Sequence, residues 1–415
     1  MTDRWDAVIV GAGPAGATTA LLCARAGASV LLVDRARFPR DKPCSEYLSP
    51  ATTDILERLG GGGGAGGGGG GILEAVERTA HAKLYGMKVV APDGTAAVGR
   101  FRGGPRPYSF ALPRTAFDTI LVAAAARAGA QVREAVTVED LVWNGRAVAG
   151  VVARSRSGRR DAQLARVVVG ADGLRSVVAR RLGVVRRSPP QRIAFTAHVA
   201  NVAGVGDVGE LHVSDHGYVG LGPVGADITT VALVLPVATV RQMRRDPRAA
   251  FFAELERFPG LEGRFDPRNL VRDVLSTGPF AQWAHTPVAP GGGALLVGDA
   301  ADFFDPFTGQ GIHSALRGAE LAAACIIPGL ASGVSESVPA CMLASYTGAR
   351  RRAFLGKWLF ERMIGVGVGS AALARHVVRR LARRPELADL LVSAAGNIVP
   401  ARRVFAPRVL AQLLW

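Results

Sequence analysis

The chain has 415 residues, enough for two or three packed units, of which 49% are hydrophobic. With a mean hydropathy of +0.21 a large core is available, yet no apolar run of about 18 residues escapes interruption by charge, Gly or Pro, which argues against a membrane span. The net charge is +16, and the segment Arg350 to Trp415 supplies +10 of it, with thirteen basic residues against Glu361, Glu386 and Asp389. That basic segment is interleaved with Leu, Val, Phe and Trp and offers no aromatic stacking platform, so nucleic acid is not the expected partner; solvated helix faces or contact with a membrane surface remain open.

Residues Asp6 to Gly16 read D-A-V-I-V-G-A-G-P-A-G: a short apolar strand running into a glycine turn and then a helix. Gly11 permits the turn, Gly13 lets the backbone approach a pyrophosphate, and Gly16 lets the helix close on the strand, while the helix N-terminus offers its free N–H groups to the phosphates. Ala12, Pro14 and Ala15 complete this nucleotide cradle. The apolar stretch in the first 27 residues is accordingly expected to be this strand and helix rather than a leader peptide. A second strand, Ser29 to Val33, ends at Asp34, eighteen residues beyond Gly16, where a carboxylate accepts from a ribose 2′-OH; Arg35 follows it.

Helices are expected near Thr52 to Leu59 and Ile72 to Arg78, joined by residues 60–71, a flexible poly-Gly loop of glycine and Ala65. Strands Lys83 to Val90 and Ala96 to Arg102 flank Pro92-Asp93-Gly94 as a hairpin. Pro113 to Ala128 reads as helix, Gln131 to Val138 as strand, and Val136 to Trp143 with Ala147 to Arg154 as a hairpin turning at Asn144-Gly145. A buried strand at Val167 to Val169 enters G-A-D-G, and a helix bearing Ser176 and Arg180 follows. Long β-branched strands fill Ile193 to Pro236. Leu295 to Val297 is again buried strand and stops at Gly298-Asp299; beyond Gly309 the chain is helical, with breaks at Pro328, Pro385 and Pro400.

Four stretches in register, the cradle, P-R-T-A-F-D at Pro113 to Asp118, G-A-D-G-L-R-S at Gly170 to Ser176 and G-D-A-A-D-F-F-D-P-F-T-G-Q-G-I at Gly298 to Ile312, resemble the flavoprotein superfamily of the para-hydroxybenzoate hydroxylase fold. That superfamily includes aromatic-ring monooxygenases, geranylgeranyl reductases and flavin halogenases. The resemblance implies an α/β chain with a discontinuous Rossmann-like FAD-binding domain (1–82, 108–190 and 276–330). An inserted mixed or antiparallel β-sheet substrate domain (83–107 and 191–275) and a helical, basic C-terminal region (331–415) complete it. It further implies that Asp299 meets the ribityl hydroxyls, that Gly309, Gln310, Gly311 and Ile312 face the flavin pyrimidine, that Pro306 shapes the pocket over the ring, and that Arg114 and Asp172 lie beside the cofactor. Asp172 also suits a helix N-cap.

Lys42-Pro43-Cys44-Ser45-Glu46 resembles the C-G-E loop of geranylgeranyl reductases, with Ser45 in place of the glycine; Cys44 is expected beside the flavin as an apolar wall, a hydrogen-bond partner or a redox-sensitive thiol. Departures matter equally: no W-x-W-x-I-P halogenase signature is present, and Asp302 stands where aromatic hydroxylases carry histidine. Tyr218 either lines a substrate cavity or is a strand tyrosine with its OH at the surface, and His313 either reaches the site or caps the helix in solvent. The histidines have no metal-ligand spacing, so no metal is expected, and Cys23, Cys44, Cys325 and Cys341 suit a reducing cytoplasm.

The resemblance implies an FAD-dependent oxidoreductase with NAD(P)H as transient reductant and an apolar small-molecule substrate. The leading expectation is a monooxygenase acting on an aromatic or polyketide-like molecule. A geranylgeranyl-reductase-like enzyme saturating prenyl double bonds stands beside it, and a non-catalytic electron-transfer scaffold is the third reading.

Overall fold

Four parallel strands, in the order Gln131–Arg133, Val30–Val33, Trp5–Val10 and Arg160–Gly170, with Ala294–Leu296 beside the last, form the first sheet of the computed structural model, which describes residues 4–61, 71–189, 191–225, 227–244 and 246–414. Most of the poly-Gly loop, residues 62–70, lies outside the described residues. Val30–Val33 is buried throughout, as a parallel strand covered on both faces must be, which is why it reads as an unbroken apolar run. Val10 pairs with Val33 on one side and with Gly170 on the other, and Gly170 pairs with Leu296. The carboxyl ends therefore finish level, and Gly11, Asp34, the Gly170–Gly173 turn and Gly298-Asp299 emerge along one edge. Glycine-lined close packing holds the helices against this edge. Helix Pro14–Arg25 packs beside helix Gly311–Ala331, and a Cβ on Gly298 would stand 2.9 Å from that of Ala15.

Arg160–Gly170 does double duty: its first half pairs antiparallel with Ala147–Arg154, which pairs in turn with Thr137–Asn144. Asn144 pairs with Ala147, so the turn is Gly145-Arg146, one residue later than expected, with Gly145 at φ 58°. The strand beginning at Gln131 stops at Arg133 because Ala135 adopts φ 56°, outside the β region. Lys83 to Val90 also divides. Ala82–Leu84 joins a small sheet with Ser109–Ala111, while Gly86–Val90 makes the hairpin with Ala96–Arg100.

That hairpin extends a second, mixed seven-stranded sheet in which Gly209–Ser214, Gly217–Pro223, Ile228–Pro236, Arg192–Ala200 and Leu270–Thr277 follow in spatial order. Alternation assigns its two faces. Phe195, Ala197, Val199, Val219, Leu221, Val231 and Leu233 pack with Phe251, Phe252 and Leu255 of helix Pro247–Leu255, leaving Thr196, His198, Tyr218, Gly220, Thr230 and Ala232 on the face turned toward the first sheet's loops.

Pro328 does not end a helix but lies inside Gly311–Ala331. It sits one turn from the C-terminus, where the missing N–H costs one bond and little of the helix remains to disrupt. This helix is long and apolar enough to cross a membrane by length and composition, yet 56% of its apolar window is buried within the protein. The C-terminal helices Ser345–Val368, Ala371–Arg383 and Pro385–Ala395 wrap back onto the hairpin: a Cβ at Gly99 would stand 2.5 Å from the Ala388 oxygen. Asp389 accepts from the Arg100 N–H and from Arg102 Nε, both at 2.7 Å. Arg102 is largely exposed, so the backbone bond carries most of the value. Asp389→Ala should lower stability by about 1–3 kcal/mol and speed proteolysis beyond residue 368; an unchanged melting temperature would refute the tie.

Candidate functional site

The glycines of the N-terminal turn are required sterically. Gly11 has φ +98° and a Cβ there would lie 2.5 Å from the Ala171 oxygen, while a Cβ on Gly16 would fall onto the Gly11 carbonyl. Gly13 differs: the nearest atoms to a Cβ there are the guanidinium ends of Arg40 at 3.4 Å and Arg114 at 4.0 Å. Helix Pro14–Arg25 starts at this point with no side-chain cap and no acid in its first turn, so the Ala15 and Gly16 N–H groups remain available. An uncapped helix N-terminus fronted by cations is chemistry suited to a pyrophosphate, and the FAD implied by the sequence fits it.

Asp34, buried, accepts from the Ala12 N–H at 2.8 Å and the Ala36 N–H at 2.9 Å. It braces the turn from beneath while each oxygen retains a lone pair for a ribose hydroxyl. Arg35 is exposed at the rim. Arg114 makes a bidentate pair with Asp118, 2.7 Å on each arm, and Arg40 Nη1 meets the same carboxylate at 3.1 Å. Burial alone would lower the Arg114 pKa, but Asp118 and the neighbouring Cys44 outweigh it and hold the guanidinium charged. Sequence reasoning passed over Arg40 and Asp118; Asp118 closes the P-R-T-A-F-D stretch, whereas nothing local separates Arg40 from Arg35 and Arg37.

Opposite the cradle, Asp299 lies 3.6 Å from Lys42, which links Gly298-Asp299 to the Cys44 loop. Asp172 is not the N-cap expected of it: Ser176 takes that place on helix Val177–Arg181, accepting from the Ala179 N–H, while Asp172 Oδ2 accepts from the Val177 N–H at 2.6 Å, Oδ1 is buried without a partner, and burial raises the carboxyl pKa despite that bond and Ser176. Cys44 is half-buried against the core, with Sγ accepting from the Glu46 N–H at 3.3 Å; Ser45 follows it, partly exposed. Glu46, in the left-handed region at φ 59°, was missed as a site residue. It is fully buried, and its carboxylate meets His198 Nε2 at 2.5 Å, the Arg114 N–H at 3.2 Å and Arg272 at 3.6 Å. His198 comes from the inserted sheet, 152 residues away in sequence.

The segment from Gly298 holds the other wall. Pro306 opens a short 3-10 turn to Thr308, Gly309 follows at φ 65°, and helix Gly311–Ala331 starts after Gln310. A Cβ at Gly309 would stand 2.7 Å from the Tyr47 ring, and Ile312 is buried beneath the turn. The Gln310 side chain turns away from the cradle and donates to the Ala395 carbonyl at 2.9 Å, so only its backbone faces the site. The Tyr218 hydroxyl is not at the surface: it is buried and donates to Asp305, and burial reinforced by that carboxylate pushes its pKa well up. His313 is no solvent-facing cap either. Its Nδ1 is buried without a partner, and burial, aided by Lys357 and Arg317, brings its pKa down to about 4. A small cleft is lined by Asp299, Pro306, Gly311 and Ser314 together with Lys357 and Glu361. Among the described residues no group of three or more His, Cys, Asp or Glu is placed to hold a metal.

The family described as "FAD binding domain" matches residues 4–354. A menaquinone reductase of Mycolicibacterium smegmatis is 30% identical over 86% of this chain and 85% of its own length. A digeranylgeranylglycerophospholipid reductase of Methanothrix thermoacetophila is 30% identical over 80% of this chain and 79% of its own. Among solved structures, a geranylgeranyl bacteriochlorophyll reductase-like protein of Thermoplasma acidophilum superposes with a TM-score of 0.77 at 21% identity, covering 97% of this chain and 99% of that one, a likeness of fold.

Asp299→Ala and Arg40→Ala should each reduce FAD retained on purification, by about tenfold for the loss of one charge-assisted contact. Flavin content measured by absorbance on folded protein checks this; unchanged content in both variants would refute the placement.

Proposed function

Because this chain belongs to the FAD binding domain family and is an FAD-dependent oxidoreductase, we propose that it is a reductase acting on an apolar, isoprenoid-bearing substrate, with FAD held between the glycine turn at Gly11–Gly16 and Asp299. The observation that carries this reading is the Glu46–His198 pair, in which a buried carboxylate on the loop that presents Cys44 meets an imidazole of the inserted sheet at 2.5 Å. Saturating an isolated double bond consumes a hydride and a proton. Bound FAD, once reduced by a nicotinamide dinucleotide, supplies the hydride. His198 Nε2 and Glu46 Oε2 share the proton, and Arg272 and the Arg114 N–H fix the carboxylate so that the imidazole stays oriented.

The sheet floor beside this pair suits a slender apolar chain. Gly220, Ala232 and Thr196 are cross-strand neighbours, and a Cβ at Gly220 would meet nothing within 4 Å. Gly222, Thr230 and His198 form the adjoining row, where the Thr230 hydroxyl is buried without a partner and is free to meet a polar end group. Cys44, half-buried between Arg114 and the core, acts as wall rather than nucleophile. The menaquinone and digeranylgeranylglycerophospholipid reductases point to substrates with isoprenoid chains. Such lipids would be reached at a membrane surface, for which the exposed Leu355, Leu359 and Val366, alternating with arginines on helix Ser345–Val368, provide an amphipathic face.

Monooxygenation is the second reading, favoured by the apolar ring contacts Phe280–Phe303 and Tyr218–Phe307, which would keep water from the site. Oxygen dependence separates the two. Under strict anaerobiosis with dithionite-reduced protein, a prenylated quinone or geranylgeranyl lipid should gain two hydrogens per double bond; conversion that requires O₂ and places its oxygen in the product would favour the second reading. His198→Asn and Glu46→Gln should lower turnover by about 10²–10⁴-fold with FAD content retained, and Cys44→Ala should leave both close to wild type. Full turnover in His198→Asn would overturn the assigned proton role.

A further inference from the structure

Around the cleft beside Asp299 and Pro306, four carboxylates are buried or half-buried, each with a cationic partner. Asp299 pairs with Lys42; Asp302 takes Arg350 and, at 2.7 Å, Trp358 Nε1; Asp305 takes Arg192 at 2.8 Å, the Tyr218 hydroxyl and the Phe307 N–H. Glu361 is different. Its Oε1 meets Lys357 at 2.9 Å and the Thr308 hydroxyl at 3.3 Å, while Oε2 is buried with no partner. Arg350, Lys357 and Glu361 lie seven and four residues apart on helix Ser345–Val368, so one face of that helix lines the cleft.

We propose that Glu361 is a redox-linked proton acceptor of the cofactor site: when FAD is reduced, Glu361 Oε2 takes a proton from solvent through the cleft, and Lys357 is released from its ion pair to face the added negative charge. In this step one O–H bond forms at Oε2 as an O–H bond of a hydronium ion or buffer acid in solvent breaks, leaving water or the buffer base behind. The two electrons come from the reductant and stay on the cofactor, and Lys357 remains an ammonium throughout. The arrangement works because an ion pair in a low-dielectric cleft is easily unbalanced by new charge nearby. Thr308 bonds Glu361 and directly precedes the turn Gly309 to Gly311, so the carboxyl also positions the segment proposed to face the flavin.

The groups facing Glu361 support the assignment from every side. Burial raises its pKa, opposed by Lys357 and reinforced by Asp302; on Asp302 itself burial is overcome by Arg350 and Lys357, which hold that carboxyl below its usual range. Across the cleft His313, with its pKa lowered, adds no charge near neutrality, and Ser314 Oγ is buried without a partner. Two carboxyls in one cleft are thereby driven apart, one fixed as anion and one ready to hold a proton.

The test compares FAD-loaded wild type and Glu361→Gln on dithionite reduction, reading proton uptake with a pH-indicator dye and the infrared difference spectrum. Wild type should take up about one proton more per FAD than the variant, and should gain a protonated-carboxyl stretch that the variant lacks and that Glu361→Asp shifts. Equal uptake, or a carboxyl band that persists in Glu361→Gln, would overturn the proposal. Should Glu361→Gln fail to hold FAD, the wild-type spectrum decides alone: absence of a new carboxyl band on reduction is equally fatal.

Discussion

The site depends on the level ending of the parallel strands. Val10, Val33, Gly170 and Leu296 stand in register, so four segments scattered over nearly 300 residues of sequence deliver their glycines and carboxylates to one edge. Side-chain size enforces that register as much as hydrogen bonding does. Gly11 cannot carry a Cβ without striking the Ala171 backbone, nor Gly16 without striking the Gly11 carbonyl, and Gly298 must stay bare to admit Ala15. Loosening any of these contacts would separate the helix N-terminus from Asp299 and open the cradle from both ends.

On this base the protein places charge in pairs. Arg114 and Arg40 share Asp118, Lys42 holds Asp299, Arg192 holds Asp305, Arg350 holds Asp302 and Lys357 holds Glu361. Buried ion pairs contribute little net stability because desolvation offsets attraction, so their concentration along one edge is better understood as organisation of a site than as glue for the fold. Glu361 keeps a free oxygen in the cleft, and Asp34, outside these pairs, keeps lone pairs under the glycine turn.

The inserted sheet and the C-terminal helices close the site from opposite directions. The sheet sends His198 to Glu46 and Tyr218 to Asp305, both loops of the first sheet, so its small-residue floor is held against the cofactor edge by hydrogen bonds between the two units. The C-terminal helices contribute Lys357 and Glu361 and are themselves tied down through Asp389 and Gln310. The last segment of the chain thus lines the cleft and is packed into the fold rather than appended to it.

The sequence by itself determined the cradle, because glycine spacing after an unbroken apolar run is a local signal read within about 30 residues, while the cofactor was implied by the resemblance of four motifs to a flavoprotein family. The same resemblance singled out Asp299 and the Gly309–Gly311 turn as expected cofactor contacts. What it left open was decided by partners far away in the chain. Whether the Tyr218 hydroxyl met solvent depended on Asp305, whether Pro328 ended a helix depended on one remaining turn, and the meaning of Glu46 depended on His198. A side chain's chemistry is set by what folding brings within about 3 Å of it, and no spacing rule within one segment reports on a neighbour that the tertiary structure alone supplies.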